Sequence, residues 1–203
     1  MPQRFNKKRL VIASHNPGKV REISALLSLY NLEVFSSAEL SLPEPPEDGT
    51  TFIENAKIKA TTAAEASSLP ALADDSGLVV PAIDGNPGIH SARWAGPDKN
   101  FKLAMTKVWD KLANRDPAAY FICALSICWP HKKRKAGHIK TFEGRVDGKL
   151  VWPARGERGF GFDPMFIPKG FNITFGEFKP ADKHAISHRA IAFDKLRATC
   201  FPP

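Results

Sequence analysis

The stretch that decides the fold is Ala73-Asp74-Asp75-Ser76-Gly77, which lies between apolar runs at residues 69–73 and 78–83. Carboxylates next to buried apolar residues are unfavourable unless a cation or hydrogen bonds compensate them. A hard metal ion with oxygen ligands is one solution, and magnesium acting on phosphate is its commonest use. The alternative is a surface turn, because Asp, Ser and Gly favour turns. We expect strands over residues 69–74 and 78–83 that flank an acidic turn.

Outside this stretch, strands alternate with helices in the N-terminal half and form hairpins in the C-terminal half. The pattern predicts an α/β fold with a mixed central β-sheet flanked by helices. We expect residues 1–203 to form a single domain of two lobes, with an active-site cleft between them. Predicted strands cover residues 9–14, 33–36, 118–129, 138–146 and 165–167, with a turn at 147–148, and predicted helices cover 20–30, 51–67, 100–112 and 181–196.

The composition is that of an ordinary globular protein, with 43% hydrophobic and 25% charged residues. The longest apolar stretch, residues 120–129, has about half the length of a membrane span, and the run at residues 10–13 is too short for a signal peptide. We therefore expect a cytoplasmic protein without a membrane partner. The three cysteines include no Cys-x-x-Cys pair, which argues against disulfides and a cysteine zinc site.

The net charge of +8 indicates an acidic partner, which is a nucleic acid, a nucleotide or an anionic surface. Part of this charge lies in His131-Lys132-Lys133-Arg134-Lys135, between two predicted strands. This segment is interpreted as a solvated hairpin tip, and contact with nucleic acid is the alternative.

The segment Ser14-His15-Asn16-Pro17-Gly18-Lys19 lies where the first strand gives way to a helix. Asn16 is a good N-cap and Pro17 suits the first helical position, so capping alone explains both residues. The same position directs backbone N–H groups and the positive helix end toward an anion, while Gly18 permits close approach and Lys19 adds a charge. Anion binding is the favoured interpretation.

Glu54 has two interpretations. Thr51-Phe52-Ile53-Glu54 matches a capping box, in which Glu54 stabilises the start of a helix. The functional alternative is a third carboxylate that binds metal, and spacing does not separate the two.

The loop Gly156-Glu157-Arg158-Gly159-Phe160-Gly161-Phe162-Asp163 places three glycines around two aromatic residues. Glycine permits unusual backbone angles, and aromatic faces stack on nucleobases. The alternative is a hairpin loop whose phenylalanines belong to the core. Further along, Lys183-His184-Ala185-Ile186-Ser187-His188-Arg189 opens the last predicted helix, with Ser187 as a candidate cap. Arg189 in a first turn opposes the helix dipole, which an anion nearby would compensate.

Taken together and in this order, these segments resemble the RdgB-like inosine/xanthosine triphosphate pyrophosphatases. The resemblance covers about residues 10–196. Its motifs are Ser-His-Asn-Pro-Gly-Lys, Phe-Ile-Glu-Asn-Ala, Ala-Asp-Asp-Ser-Gly-Leu, Pro-Gly-Ile-His-Ser-Ala-Arg-Trp-Ala-Gly, Gly-Phe-Gly-Phe-Asp-Pro and Ile-Ser-His-Arg-Ala. Two positions depart from the family pattern, because His15 stands where many relatives carry Gly and Phe162 where Tyr or Trp is frequent. Because of His15, the family pattern does not define the shape of the phosphate loop.

The resemblance implies a role for each matching residue. Asp75 would be the general base, and Asp75, Glu54 and Asp74 would bind Mg²⁺. The residues implied to bind substrate are Ser14, His15, Asn16, Pro17, Gly18, Lys19, Ser76, Arg93, Phe160, Gly161, Phe162, Asp163, Lys183, His188 and Arg189. The resemblance also implies a homodimer.

The leading hypothesis is hydrolysis of ITP, dITP and XTP to the monophosphate and pyrophosphate, with no nucleic-acid or membrane partner. A Maf-like nucleotide pyrophosphatase with a different base preference is one alternative. A basic nucleic-acid-binding module is the other, and its binding would weaken steeply with salt.

Overall fold

The computed structural model of the chain describes residue 5 and residues 7–131 and 138–201. Its strands are β1 (Arg9–Ile12), β2 (Glu33–Ser36), β3 (Ala71–Val79), β4 (Ala118–Trp129), β5 (His138–Leu150) and β6 (Phe166–Pro168). Its α-helices are α1 (Pro17–Leu27), α2 (Phe52–Ser67), α3 (Ser91–Trp94), α4 (Phe101–Leu112), α5 (Pro180–Ile186) and α6 (His188–Cys200). No helix of this described part is long and apolar enough to cross a membrane.

The strands form one six-stranded sheet in the order β2-β1-β3-β4-β5-β6. Strand β1 is parallel to β2 and also to β3, where Val11 pairs with Ala71. Strands β5 and β6 are antiparallel. Parallel pairs joined through helices at one end and an antiparallel pair at the other make a mixed sheet, which confirms the predicted α/β class.

The predicted acidic turn is wrong, because β3 continues without interruption through Asp74 and Asp75 to Val79. Residues 81–83, predicted as strand, form a short 3₁₀ helix instead. Neighbouring residues of a strand point to opposite faces of a sheet, so the two carboxylates are directed apart. Each meets a lysine, Asp74 with Lys19 and Asp75 with Lys59, and these cations compensate the charges inside the strand.

Two other boundaries differ from the prediction. Strand β5 runs through the predicted turn at residues 147–148 to Leu150, because it pairs there with β6, Gly148 opposite Pro168. The last predicted helix is two helices, since Ser187 has an extended backbone (φ −72°, ψ 153°) that ends α5 just before α6. The predicted hairpin tip at residues 132–135 lies outside the described residues.

The chain divides into two compact units. Unit 1 comprises Met1–Asp75, Cys123–Glu143 and Ala190–Pro203, and unit 2 comprises Ser76–Ile122 and Gly144–Arg189. The unit 1 core consists of aliphatic strand residues such as Leu10 and Leu72 with helix residues such as Ile23. The unit 2 core is rich in phenylalanine. All three cysteines lie among the described residues as buried thiols. The predicted cleft stays a prediction.

Candidate active site

Asp75 is the last residue of unit 1 and is only 5% exposed. Its Oδ1 accepts a hydrogen bond of 2.8 Å from Lys59 Nζ, which also donates to Oε1 of Glu47 at 2.7 Å. The second oxygen, Asp75 Oδ2, is buried and has no hydrogen-bond partner among the residues that the structure describes. Buried polar atoms are almost always satisfied in folded proteins, so an orphaned carboxylate oxygen indicates a place for a ligand.

The pKa values of Asp75 and Lys59 are both raised, for different reasons. Burial raises the pKa of Asp75 above its ordinary value, and the ammonium groups of Lys59 and Lys19 only partly offset that effect. Burial disfavours the charged form of Lys59, yet the carboxylates of Asp75 and Glu47 outweigh it and raise the pKa of Lys59. A buried carboxylate with a raised pKa next to a fixed cation is typical of a general base.

The charge of the Asp74 carboxylate is compensated by other residues. Lys19 Nζ lies 2.7 Å from Asp74 Oδ1, and Cys123 Sγ donates to Asp74 Oδ2 at 3.0 Å. Lys19 Nζ also lies 3.4 Å from the Asp74 carbonyl oxygen. Both carboxylate oxygens therefore already accept hydrogen bonds from unit 1.

The phosphate-loop candidate has the predicted cap. Asn16 Oδ1 accepts hydrogen bonds from the backbone N–H groups of Gly18 (2.9 Å) and Lys19 (3.2 Å), and Pro17 occupies the first turn of α1. The Asn16 N–H donates to Ser14 Oγ at 3.1 Å. These N–H groups are thus committed to the cap, which leaves the positive helix end, the Ser14 hydroxyl and the Lys19 ammonium for an anion.

His15 turns toward the proline-rich loop that precedes α2. Its Nε2 lies 3.2 Å from the Leu42 carbonyl oxygen, and its Nδ1 lies 3.9 Å from Glu44 Oε1. His15 therefore adds a contact between two loops of unit 1.

Glu54 lies in a capping arrangement at the start of α2. It is exposed, its Oε2 accepts from the Thr50 N–H (2.6 Å) and hydroxyl (2.8 Å), and its own N–H donates to Thr51 Oγ1 (3.1 Å). The Thr50 bonds hold the pKa of Glu54 below its ordinary value. Within the described residues, no group of three or more His, Cys, Asp or Glu side chains is placed to hold a metal ion. The predicted trio of Asp75, Glu54 and Asp74 is therefore not a preassembled metal cluster.

Sequence reasoning missed Lys59 and Glu47. Lys59 lies in the buried stripe of α2 with Ala56, Ala60 and Ala63, and a lysine inside an alanine stripe is a signal that could have identified it. Glu47 lies in the loop before α2, where nothing local distinguishes it from Glu44. Its contact with Lys59 connects it to Asp75.

Unit 2 holds a second group of predicted residues, centred on Asp163. Asp163 Oδ2 accepts from Lys183 Nζ at 2.6 Å and from the Phe160 N–H at 2.8 Å. Asp163 is 3% exposed and Lys183 is 5% exposed, so this is a buried ion pair. Gly159 has a φ of +76°, and a Cβ at that position would collide with Asp163 Oδ2, so the loop needs glycine there.

Phe160 lies close to two cations of unit 2. The Lys183 ammonium is 5.0 Å and the Arg189 guanidinium 5.8 Å from its ring centroid. Arg189 is 1% exposed and donates to Ser76 Oγ at 3.1 Å. The His188 ring stacks on Phe121, with centroids 4.9 Å apart and an interplanar angle of 13°. The Phe160 ring therefore lies near two cations, and Arg189 connects it to the Ser76 hydroxyl.

The remaining predicted residues of unit 2 are less closely connected. Phe162 is 3% exposed and packs edge-on against Phe101 at 5.5 Å, so its side chain belongs to the core, as the alternative interpretation held. Gly161 lies half-buried beside it. Arg93 lies exposed in α3 and lines a surface cavity together with Trp94 and Lys107.

Comparisons with known proteins identify the family of the chain. Residues 10–199 match the Ham1 family. The dITP/XTP pyrophosphatase of Rhodospirillum centenum is 55% identical over 204 residues, covering 98% of both chains. That of Caulobacter vibrioides is 56% identical, covering 95% of this chain and 98% of its own. A HAM1 protein from Coxiella burnetii has a similar structure, with a TM-score of 0.83, 36% identity, and coverage of 95% of this chain and 98% of that one. The resemblance drawn from the motifs is confirmed, and the chain belongs to the Ham1 family.

Proposed function

We propose that this protein hydrolyses the non-standard purine nucleoside triphosphates ITP, dITP and XTP to monophosphate and pyrophosphate, removing them from the nucleotide pool. The observation that carries the proposal is Asp75, whose buried Oδ2 has no hydrogen-bond partner in the described part of the chain while Lys59 holds Oδ1 at 2.8 Å. The names of the similar proteins from Rhodospirillum centenum and Caulobacter vibrioides, both dITP/XTP pyrophosphatases, support the choice of substrate.

The same orphaned oxygen fits a divalent metal ion, for which we propose Mg²⁺. Magnesium is usually bound by one or two carboxylates plus substrate phosphates, so a site without a cluster of three carboxylates is compatible with it. We assign Asp75 and Glu47 as metal ligands, because Lys59 contacts both side chains and so holds two carboxylates near each other. Asp74 and Glu54 receive other roles, as the anchor of Lys19 and the cap of α2. The bound ion would neutralise charge on the phosphates.

The reaction needs a base and a cation for the triphosphate. We assign Asp75 to accept a proton from the water that attacks the α-phosphorus, as the bond to the pyrophosphate oxygen breaks in line. Positioned general bases contribute roughly 10²–10⁴-fold to rate. Lys19 and the positive end of α1, with Ser14, would bind the phosphates, which carry most of the charge of the substrate.

Unit 2 would recognise the nucleoside. Phe160 offers an aromatic face beside the cations of Lys183 and Arg189, and aromatic faces stack on bases for about 1–3 kcal/mol. The 6-oxo group of hypoxanthine and xanthine accepts hydrogen bonds, whereas adenine presents an amino donor there. Donors around His188 would pair with the first and be left unpaired by the second, which penalises ATP.

The test is the release of pyrophosphate and phosphate from ITP, dITP, XTP, ATP and GTP, each with magnesium and with EDTA. We expect magnesium-dependent pyrophosphate from the first three only, and release about 10²–10⁴-fold slower from an Asp75→Asn variant. Equal rates with ATP and ITP would overturn the selectivity. Release from pyrimidine or modified nucleotides would favour the Maf-like alternative, and salt-sensitive binding of nucleic acid without hydrolysis would favour the binding module.

We further propose that the protein is a cytoplasmic homodimer with no nucleic-acid or membrane partner. The proposal rests on family membership and on the location of the nucleotide pool. Light scattering of the purified protein measures the mass directly, and a monomer at micromolar concentration would contradict the dimer.

A further inference from the structure

The carboxylate of Asp74 accepts hydrogen bonds on both oxygens, from Lys19 Nζ at 2.7 Å and from Cys123 Sγ at 3.0 Å. The Asp74 side chain is 0% exposed, and so is Cys123, whereas the Lys19 side chain is 16% exposed. All three residues lie in unit 1. A buried aspartate therefore joins a buried thiol to a lysine that keeps a path to solvent.

The alternation of β3 explains why two adjacent aspartates have different partners. Asp75 meets Lys59 of α2, and Asp74 meets Lys19 of α1. A lysine side chain is flexible and loses rotamer entropy when it is fixed. A carboxylate that is itself held by a hydrogen-bond donor fixes the lysine ammonium better than a mobile carboxylate does. The lysine then loses less conformational freedom when the phosphate binds.

We propose that Asp74 and Cys123 are positioning residues for Lys19, so that the two carboxylates of the Asp-Asp pair divide the work. Asp75 serves the reaction, while Asp74 holds the Lys19 ammonium in place for the triphosphate, with the Cys123 thiol fixing the orientation of Asp74. This inference rests on the proposed function of the phosphate loop. It assigns to Cys123 a polar role that its place in an apolar cluster does not suggest.

The chain offers a matched control in Cys128. It lies five positions after Cys123 on β4, is also buried and belongs to a different apolar cluster, where its Sγ contacts the Trp129 carbonyl oxygen. Cys123→Ala and Cys128→Ala remove the same atom from the same strand. We expect Cys123→Ala to lower kcat/KM for ITP roughly 3- to 10-fold, mainly through KM, as for the loss of one hydrogen bond. Cys123→Ser, which keeps a donor, should restore most of it, and Cys128→Ala should change neither constant.

A double-mutant cycle separates positioning from packing. The probe is inorganic tripolyphosphate, and its Kd is measured by calorimetry in EDTA for wild type, Cys123→Ala, Lys19→Met and the double variant. If Cys123 acts through Lys19, Cys123→Ala weakens binding in the wild type but has no further effect in Lys19→Met. Additive effects would mean that Cys123 only packs, and they would overturn the inference. Equal effects of Cys123→Ala and Cys128→Ala on Kd, or no rescue by Cys123→Ser, would overturn it too.

The hydrolysis assay and the binding cycle test the proposed function and the role of Cys123 independently. A wild-type protein that binds tripolyphosphate but hydrolyses no nucleotide would refute the proposed function, while the binding cycle would still decide the role of Cys123. A wild-type protein that hydrolyses ITP but does not bind tripolyphosphate in EDTA would refute Lys19 as a prearranged phosphate contact, and the anchor with it. Thermal unfolding of each variant checks that it is folded.

Discussion

Lys59 Nζ lies 2.8 Å from Asp75 Oδ1, with the two side chains 11% and 7% exposed. Buried ion pairs contribute little net stability, because desolvation offsets their attraction. The pair does, however, fix one oxygen of Asp75, and the other has no hydrogen-bond partner within residues 7–131 and 138–201. We interpret Lys59 as the residue that orients the general base.

Asp75→Asn keeps the shape of the side chain and removes its ability to accept a proton. We expect kcat for ITP at saturating magnesium to fall by about 10²–10⁴-fold, the usual contribution of a positioned base. Initial rates of pyrophosphate release measure it, and circular dichroism controls for folding. Near-normal turnover would remove Asp75 from this role.

Lys59→Met removes the ammonium and leaves the carboxylates of Asp75 and Glu47 without it. Breaking a buried pair by removing one partner lowers the free energy of unfolding by roughly 3–5 kcal/mol. Urea unfolding in EDTA at neutral pH measures the loss. Adding Asp75→Asn to this variant should recover part of it, since an amide needs no counter-ion. A double variant less stable than Lys59→Met would contradict the interpretation.

The pH dependence of stability has a definite sign for Asp75. Because burial raises the pKa of Asp75 in the folded state, that state binds its proton more tightly than the unfolded chain does. The contribution is therefore complete below the unfolded pKa of about 3.9 and is lost as pH rises through the folded pKa. The unfolding free energy of wild type minus that of Asp75→Asn, measured in EDTA, should fall as pH rises above about 4. A rising difference would show that Lys59 lowers this pKa instead.

The metal assignment is tested by two glutamates on either side of the start of α2. Glu47→Gln should raise the magnesium concentration needed for half-maximal rate, because a carboxylate ligand becomes a neutral amide. Glu54→Gln should leave that concentration unchanged and only weaken the cap on Thr50. Magnesium titrations of both variants with ITP decide between them. The reverse result would restore Glu54 as the ligand.

Two glycines test the loop around Asp163. Gly159 and Gly170 both have positive φ, +76° and +88°, so alanine at either is strained by about 1–2 kcal/mol. Among the described residues, a Cβ at Gly170 would have no neighbour within 4 Å, whereas one at Gly159 would collide with Asp163. Gly159→Ala should therefore be the more destabilising in urea, and it alone should raise KM for ITP by displacing the partner of Lys183. Equal effects on KM would show that the loop does not position the substrate.

The strands and helices that could be predicted depend on interactions between residues close together in sequence. Strands β2 and β4 lie where the apolar runs predicted them, and α2 and α4 begin after the side-chain caps Thr51 and Asn100. Periodicity and caps depend on residues a few positions apart, so the sequence alone contains them. The ordered motifs, read together, were likewise enough to identify the family.

Contacts between distant residues decided the rest. The Asp-Asp pair reads locally as a turn, yet it continues a strand because Lys19 and Lys59, which are 55 and 16 positions away, neutralise it on opposite faces. The choice between Glu47 and Glu54 as partners of this centre depended on which of them meets Lys59. Burial and charge compensation are set by what surrounds a side chain in three dimensions, so the sequence by itself determined the elements and the family, while the tertiary structure decided which charges act together.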